Sequence, residues 1–166
     1  NMDQLKVAEY NVRHIRVGKG KGITTYYSKK FKHVGDEVSQ NYQITKYESK
    51  NVVSINVYRS AKGSVEEVIE KIKNMQDPEK ANVITGDMNI CARKQRNSPL
   101  ISSLLEEKYK LMTKTATHIR GGHIDHSYVK NAEAKLHLYS PYYSDHDALC
   151  VTVEKAWAAG EWQEPE

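Results

Sequence analysis

The sequence predicts an α/β (α+β) layered sandwich: mixed, mostly antiparallel sheets packed together, with flanking helices. Strand-like stretches rich in β-branched and aromatic residues dominate the chain. Two amphipathic helical stretches are inserted between them, and turn residues punctuate the joins.

In chain order, the first 50 residues are basic and rich in Tyr and Gly. "GKGKG" at 18–22 opens "ITTYYSKKF", whose β-branched and aromatic content suits a strand. As a phosphate cradle these glycines signal little, because no helix follows them. "YQITKYES" and "NVVSINVYRS" are separated by Ser49-Lys50-Asn51 and predict an antiparallel hairpin. Ser64 to Met75 predicts a helix: Ser64 and Glu67 make a capping box, and Val65, Val68, Ile69, Ile72 and Met75 line one face. Asp77-Pro78 ends it. "ANVITGDMN" is a short apolar strand running into a polar end. Ser98-Pro99 starts a second helix with Leu100, Ile101, Leu104 and Leu105 as its buried stripe. Three strands are expected beyond Thr115, in "THIRGGHIDHSYVK", "AKLHLYS" and "DALCVTVE". No internal repeat or low-complexity linker is visible. One domain is expected over residues 1–153, followed by an acidic, loosely held tail over 154–166.

With 166 residues, 39% hydrophobic and 28% charged, the chain reads as one soluble globular domain. No apolar run approaches the roughly 20 residues of a membrane span, so no membrane partner is expected. No charged-then-apolar leader opens the chain at Asn1, which predicts an intracellular location, nuclear or cytoplasmic. Cys91 and Cys150 lack metal-type spacing and adjoin apolar segments, as buried thiols in a reducing compartment would. Net charge is +4, and the tail from Glu154 holds four Glu and one Lys, so residues 1–153 carry 24 basic and 17 acidic side chains. That excess suits a polyanionic partner, although basic loops also serve solubility.

Polar residues collect where strands end. Asp87 and Asn89 stand two apart at the carboxyl end of "VITGDMN", hence on one side of the strand, and Gly86 would allow a ligand close approach. Asp125 sits inside a strand-like run, where an acid is costly unless paired or at the rim. Asp145 and His146 follow Ser144 just before "ALCVTVE", and "INVYRS" ends a strand with Tyr58 and Arg59. Each has an ordinary reading as well. Asp87 and Asn89 are common turn residues, Asp125 could be neutralised by His123 or His126, and His146 could be a solvated imidazole.

Taken in order, "GDMN", "IDHSYV" and "SDHDAL" resemble the last three signature motifs of the endonuclease/exonuclease/phosphatase superfamily. That is the fold of DNase I, of exonuclease III-type apurinic endonucleases and of non-LTR retrotransposon endonuclease domains. "INVYRSAKGS" resembles the family's preceding strand, and the resemblance covers about residues 20–154. It implies a DNase I-like fold and hydrolysis of a phosphodiester in nucleic acid, DNA favoured, with Mg²⁺ or Mn²⁺ as cofactor. It also implies roles. Asp87 would orient and deprotonate water, and Asn89 would hold a phosphate oxygen or the nucleophile. Asp145 would approach the metal together with Asp87. His146 would hydrogen-bond the scissile phosphate, Asp125 would fix the His146 tautomer, and Tyr58 would support the developing charge. Arg59, Arg93, Lys94 and Arg96 are candidate substrate-binding residues, the last three forming a basic loop beside the Asp87 strand.

The family's earlier motifs, an Asn-bearing strand and a metal-ligand Glu, have no clear counterpart. "YNVRH" offers Asn11, but too little chain lies between it and "GKGKG" for a helix and the Glu strand. The resemblance therefore implies an N-terminally truncated form of the fold, completed by a missing N-terminal segment or a partner chain. Three rival readings stand: a phosphatase of small-molecule or lipid phosphates, an impaired nucleic acid-binding or interaction module, and a zinc site at His118, His123 and His126.

Overall fold

The computed structural model describes residues 10–16, 22–113, 121–139 and 148–157. Five strands come first: β1 (Tyr10–Arg16), β2 (Gly22–Ser28), β3 (Lys32–Val38), β4 (Tyr42–Glu48) and β5 (Val52–Arg59). Helix α1 (Val65–Met75) leads into β6 (Ala81–Asp87), and α2 (Pro99–Glu106) into the short β7 (Lys110–Leu111). Strands β8 (Asp125–Lys130), β9 (Ala132–Tyr139) and β10 (Ala148–Ala156) complete the order.

Six strands form one sheet in the order β3-β4-β5-β6-β8-β7. Strands β5 and β6 run parallel, and the other pairs of this sheet are antiparallel. A parallel pair needs a crossover, and α1 supplies it. The helix starts because the Ser64 side chain accepts the Glu67 N–H at 3.2 Å. The reciprocal half of the expected capping box is not made by Glu67; instead the Ser64 hydroxyl donates to Glu66 at 3.4 Å. Ser98 caps α2 in the same way, with Pro99 in its first turn.

Strand alternation decides what each sheet face meets. Val53, Ile55 and Val57 of β5, with Ile44, Ile84 and Tyr128, face the helices and form the main core with Val68, Ile72, Leu100, Ile101 and Leu104. Each such fully buried aliphatic side chain contributes about 1.5–3 kcal/mol. The other face is covered by two separate antiparallel ribbons, β1–β2 and β9–β10. The β9–β10 ribbon packs Val151 and Val153 onto Val52, Ala81, Val83 and Val129. The β1–β2 ribbon is held mainly by polar contacts. Arg13 Nη1 donates to Thr45 at 3.1 Å and to Asp36 at 2.7 Å, Asn56 donates to Thr25 at 2.8 Å, and the Tyr27 and Tyr47 rings lie 4.4 Å apart. Burial alone would raise the Asp36 carboxyl, but hydrogen bonds from Arg13, Thr45 and His33 hold it well below the usual carboxylate range.

Several expectations change. The "FKHVGDEVS" stretch forms β3, an edge strand whose mostly exposed side chains give no apolar alternation to read. "YNVRH" pairs with β2 as a hairpin, and Asn11 is exposed opposite Tyr27. The long strand expected from Thr115 begins only at Asp125, and residues 114–120 lie outside the described residues. Strand β10 runs three residues past the boundary expected at Val153, with Glu154 paired to Lys135 at 3.0 Å and the Trp157 N–H donated to Asn131 at 2.9 Å. Both cysteines are free but half-buried rather than buried.

Candidate functional site

The ribbon-facing side of the six-stranded sheet turns polar toward the carboxyl ends of β5 and β6. Gln43 pairs with Tyr58, Tyr58 with Asp87, and Asp87 with Asp125, so four adjacent strands place these residues in one row. Directly paired residues share a face with Cβ atoms about 5 Å apart. One step down lies a second polar row, Thr45, Asn56, Thr85 and Ser127. Tyr58, Asp87 and Asp125, expected from sequence to act together, are thus brought side by side.

Asp87 is the last residue of β6, and the chain turns sharply after it. Its Oδ1 accepts the Asn89 N–H at 3.0 Å. Asn89 has φ 50°, a left-handed conformation that Asn tolerates because its short amide can bond locally. That amide does so, donating from Nδ2 to the Arg59 carbonyl at 2.7 Å. Asn89 therefore lies beyond the strand and reaches back across to β5.

Gly86 has a different purpose from the one expected. Its φ is 148°, and a Cβ here would lie 1.8 Å from the Val57 carbonyl oxygen. The space over Gly86 holds the backbone of β5, not a ligand. The unusual backbone at Gly86 turns this position toward β5 while the two strands stay in register, with Tyr58 paired to Asp87.

Arg59 also departs from expectation. It is 5% exposed, and it donates from Nε to the Met88 carbonyl at 2.8 Å, from Nη1 to Gly63 at 2.7 Å and from Nη2 to Asn89 at 3.3 Å. As a substrate-binding residue it is corrected: its fork braces the turns after β5 and β6, because those buried carbonyls need donors. Burial lowers its pKa and the charge of Asp87 opposes that. Arg93, Lys94 and Arg96 do lie exposed on the loop after β6. Hydrogen bonds from the Met88 N–H to Ile124 and from the Ala92 N–H to His123, both 2.9 Å, dock the start of this loop against the approach to β8.

The electrostatics of the row are readable. Burial and the neighbouring Asp87 charge push the Tyr58 phenol above its ordinary value, so it stays a protonated hydrogen-bond donor at neutral pH. Asp125 is 6% exposed. His126 does not neutralise it by a hydrogen bond. The His126 ring lies on the helix-facing side, with Nε2 at 2.7 Å from the Ile90 carbonyl and Nδ1 at 2.9 Å from the Tyr128 hydroxyl. Two carbonyls lie by Nε2, which fixes the proton there. Among the described residues, buried His123 Nε2 has no hydrogen-bond partner. Cys91 opens the basic loop, and its thiol is lowered chiefly by a backbone hydrogen bond at His123, then by those at Lys94 and Arg93, against burial.

Asp145, His146 and the adjacent Ser144 lie outside the described residues, as does His118 of the zinc reading. Asp87 supplies a hard oxygen donor of the kind Mg²⁺ and Mn²⁺ prefer, and the Asp125 carboxylate paired beside it adds charge that attracts a cation. Among the described residues, no group of three or more His, Cys, Asp or Glu is placed to hold a metal ion. The donor chemistry fits a divalent cation.

Sequence reasoning missed Gln43, Asn56 and Thr85. Their signal was present as period-two polarity. Ser54, Asn56 and Tyr58 alternate with Val53, Ile55 and Val57, while Thr85 precedes Asp87 on the same side.

No protein-family model matches this sequence, and no curated protein matches it. Solved structures match its fold. The endonuclease domain of TRAS1, a telomere-specific non-LTR retrotransposon, aligns with TM-score 0.60 at 14% identity, over 86% of this chain and 78% of that one. A truncated TDP2 from Caenorhabditis elegans aligns with TM-score 0.61 at 18% identity, over 92% and 78%. An endonuclease/exonuclease/phosphatase family protein from Bacteroides thetaiotaomicron aligns with TM-score 0.57 at 15% identity, over 90% and 75%. At these identities the likeness is one of fold.

Proposed function

We propose that this chain, which has the DNase I-like fold of the endonuclease/exonuclease/phosphatase superfamily, hydrolyses phosphodiester bonds in nucleic acid, with DNA the favoured substrate. The observation that carries this reading is the Tyr58–Asp87–Asp125 row at the strand ends. Such a row would offer a protonated phenol and two carboxylates to one phosphate. The superfamily works with divalent cations. Asp87 and Asp145 would hold Mg²⁺ or Mn²⁺ here, and the ion would offset charge on the phosphoryl oxygens.

The chain's own residues do the rest. Asp87 orients the attacking water and takes its proton as the water oxygen forms the new P–O bond. The ester P–O bond in line with it breaks, and the leaving oxygen takes up a proton from solvent. Tyr58 donates its hydroxyl to a phosphoryl oxygen as negative charge develops there. Asn89 spends one amide N–H on the Arg59 carbonyl, and its second serves a phosphate oxygen. His146 hydrogen-bonds the scissile phosphate, with Asp125 holding its tautomer. Arg93, Lys94 and Arg96 grip flanking phosphates without reading sequence.

The basic balance of residues 1–153 favours a nucleic acid over a small phosphate. That TRAS1 supplies an endonuclease domain of the same fold points the same way. The test is a substrate panel of plain duplex DNA, abasic duplex, RNA and phosphoinositide, each with Mg²⁺, Mn²⁺ or EDTA. Metal-dependent cleavage of DNA supports the reading. Release of phosphate from phosphoinositide alone would replace it with a lipid phosphatase, and salt-sensitive DNA binding with no turnover would replace it with a binding module.

A further inference from the structure

Beneath the Tyr58–Asp87–Asp125 row runs a hydrogen-bonded chain that crosses from one layer of the fold to the other. Asn56 Nδ2 donates to Thr25 Oγ1 at 2.8 Å, and Thr85 Oγ1 donates to Asn56 Oδ1 at 2.8 Å. Thr25 belongs to β2 in the covering ribbon and is buried; Asn56 and Thr85 are neighbours on β5 and β6. Asn56 stands two residues before Tyr58, and Thr85 two before Asp87, all on one face.

In this chain Thr85 donates its hydroxyl proton to the Asn56 amide oxygen, and the Asn56 amide nitrogen donates in turn to Thr25, so both ends of the amide are bonded. An amide between two packed layers costs free energy unless both ends are bonded. Three apolar residues would fill the same space without that cost, as they do lower on this face at Val52, Ala81 and Val83. The polar chain adds a distance requirement: its two 2.8 Å bonds hold only while β5, β6 and the ribbon keep this spacing.

We infer that Asn56, bonded to Thr25 and Thr85, is a positioning residue that sets the separation and register of Tyr58 and Asp87 at the site. This rests on the hydrolytic reading above. It predicts that cutting the chain misplaces the Asp87 carboxylate while leaving the substrate grip on the basic loop unchanged. A displacement of about 1 Å at such a site can cost 10²-fold in rate.

Thr85→Val removes the donated proton at constant shape, Thr85→Ser restores it, and Thr25→Val cuts the far end of the chain away from the site. Each full-length variant is checked for folding by circular dichroism and urea unfolding. Plasmid nicking is then measured for kcat and KM, and the amide proton shift of Asn89 reports its bond to the Asp87 Oδ1. The inference expects Thr85→Val to stay folded and lose at least tenfold in kcat with KM unchanged, with the Asn89 amide moved. Thr25→Val should do the same to a smaller extent, and Thr85→Ser should match the wild type. A Thr85→Val variant that is only less stable, with wild-type kcat and an unmoved Asn89 amide, overturns it. If the wild type does not nick at all, the hydrolytic reading fails, and the Asn89 amide still decides whether the chain positions Asp87.

Discussion

Arg59 and Asn89 exchange two hydrogen bonds across the ends of β5 and β6. The Asn89 amide donates to the Arg59 carbonyl at 2.7 Å, and the Arg59 guanidinium donates back to the Asn89 carbonyl at 3.3 Å. The turn after Asp87 is locked to the strand that carries Tyr58. Arg59→Met would leave three inward-facing carbonyls without their donor, and unfolding in urea should show a loss of at least about 3 kcal/mol. Arg59→Lys keeps the charge but not the planar fork, so it should recover only part of that loss.

Gly86 is a second point where local geometry is tight. With φ 148° and the Val57 carbonyl 1.8 Å from a Cβ position, Gly86→Ala has no accommodation short of parting β5 from β6. Thermal denaturation should show destabilisation of more than about 3 kcal/mol, or no folded protein. An alanine variant of near wild-type stability would mean that the strand ends are not so closely joined.

Acid should loosen the helix side of the sheet first. Burial lowers the pKa of His126 despite the Ile90 carbonyl that favours its charged form, and it lowers that of His123 as well. A histidine whose folded pKa lies below its unfolded value of about 6.5 binds more protons when unfolded. Its neutral form therefore supports full stability above about pH 6.5, and stability falls as pH drops below that. His126→Gln keeps one donor and one acceptor and does not titrate. Its stability should fall less steeply as pH drops below about 6.5 than that of the wild type, as read by urea unfolding across pH.

Tyr58 should matter to rate more than to folding. Its raised phenol pKa keeps the proton in place, so Tyr58→Phe removes a donor at the developing charge. Nicking should fall by about 10- to 1,000-fold with little change in stability. Equal activity in the phenylalanine variant would exclude Tyr58 from the phosphate contact.

The basic loop predicts a salt signature. Replacing Arg93, Lys94 and Arg96 together by alanine should weaken DNA binding uniformly across sequences. It should also reduce the slope of log affinity against log salt by up to about 2.7, at about 0.9 for each phosphate no longer neutralised. An unchanged slope would make the loop a solvated surface.

The sequence was informative where periodicity and caps are strong. Ser64 and Ser98 mark both helix starts, and the hairpin around Ser49-Lys50-Asn51 stands as expected. Asp87 and Asp125 were legible as acids at strand ends, and the sheet does set them opposite each other. Direction in three dimensions was not legible. Arg59 comes directly after Tyr58 on the strand, so its side chain turns to the other face and is spent on backbone carbonyls. Asn89 stands two residues after Asp87, yet a left-handed turn takes it out of the strand period that would have kept them on one side. Edge strand β3 carries no apolar stripe because little covers it, so no periodic signal announced it.

The most direct test is nicking of supercoiled plasmid by the full chain with Mg²⁺, Mn²⁺ or EDTA, beside Asp87→Ala and Asp145→Ala. Metal-dependent nicking that falls at least about 100-fold in the Asp87 variant is the predicted result, and a comparable loss in the Asp145 variant would add that residue to the site. Nicking that persists in folded Asp87→Ala protein would contradict the assignment of catalysis to this row of the sheet.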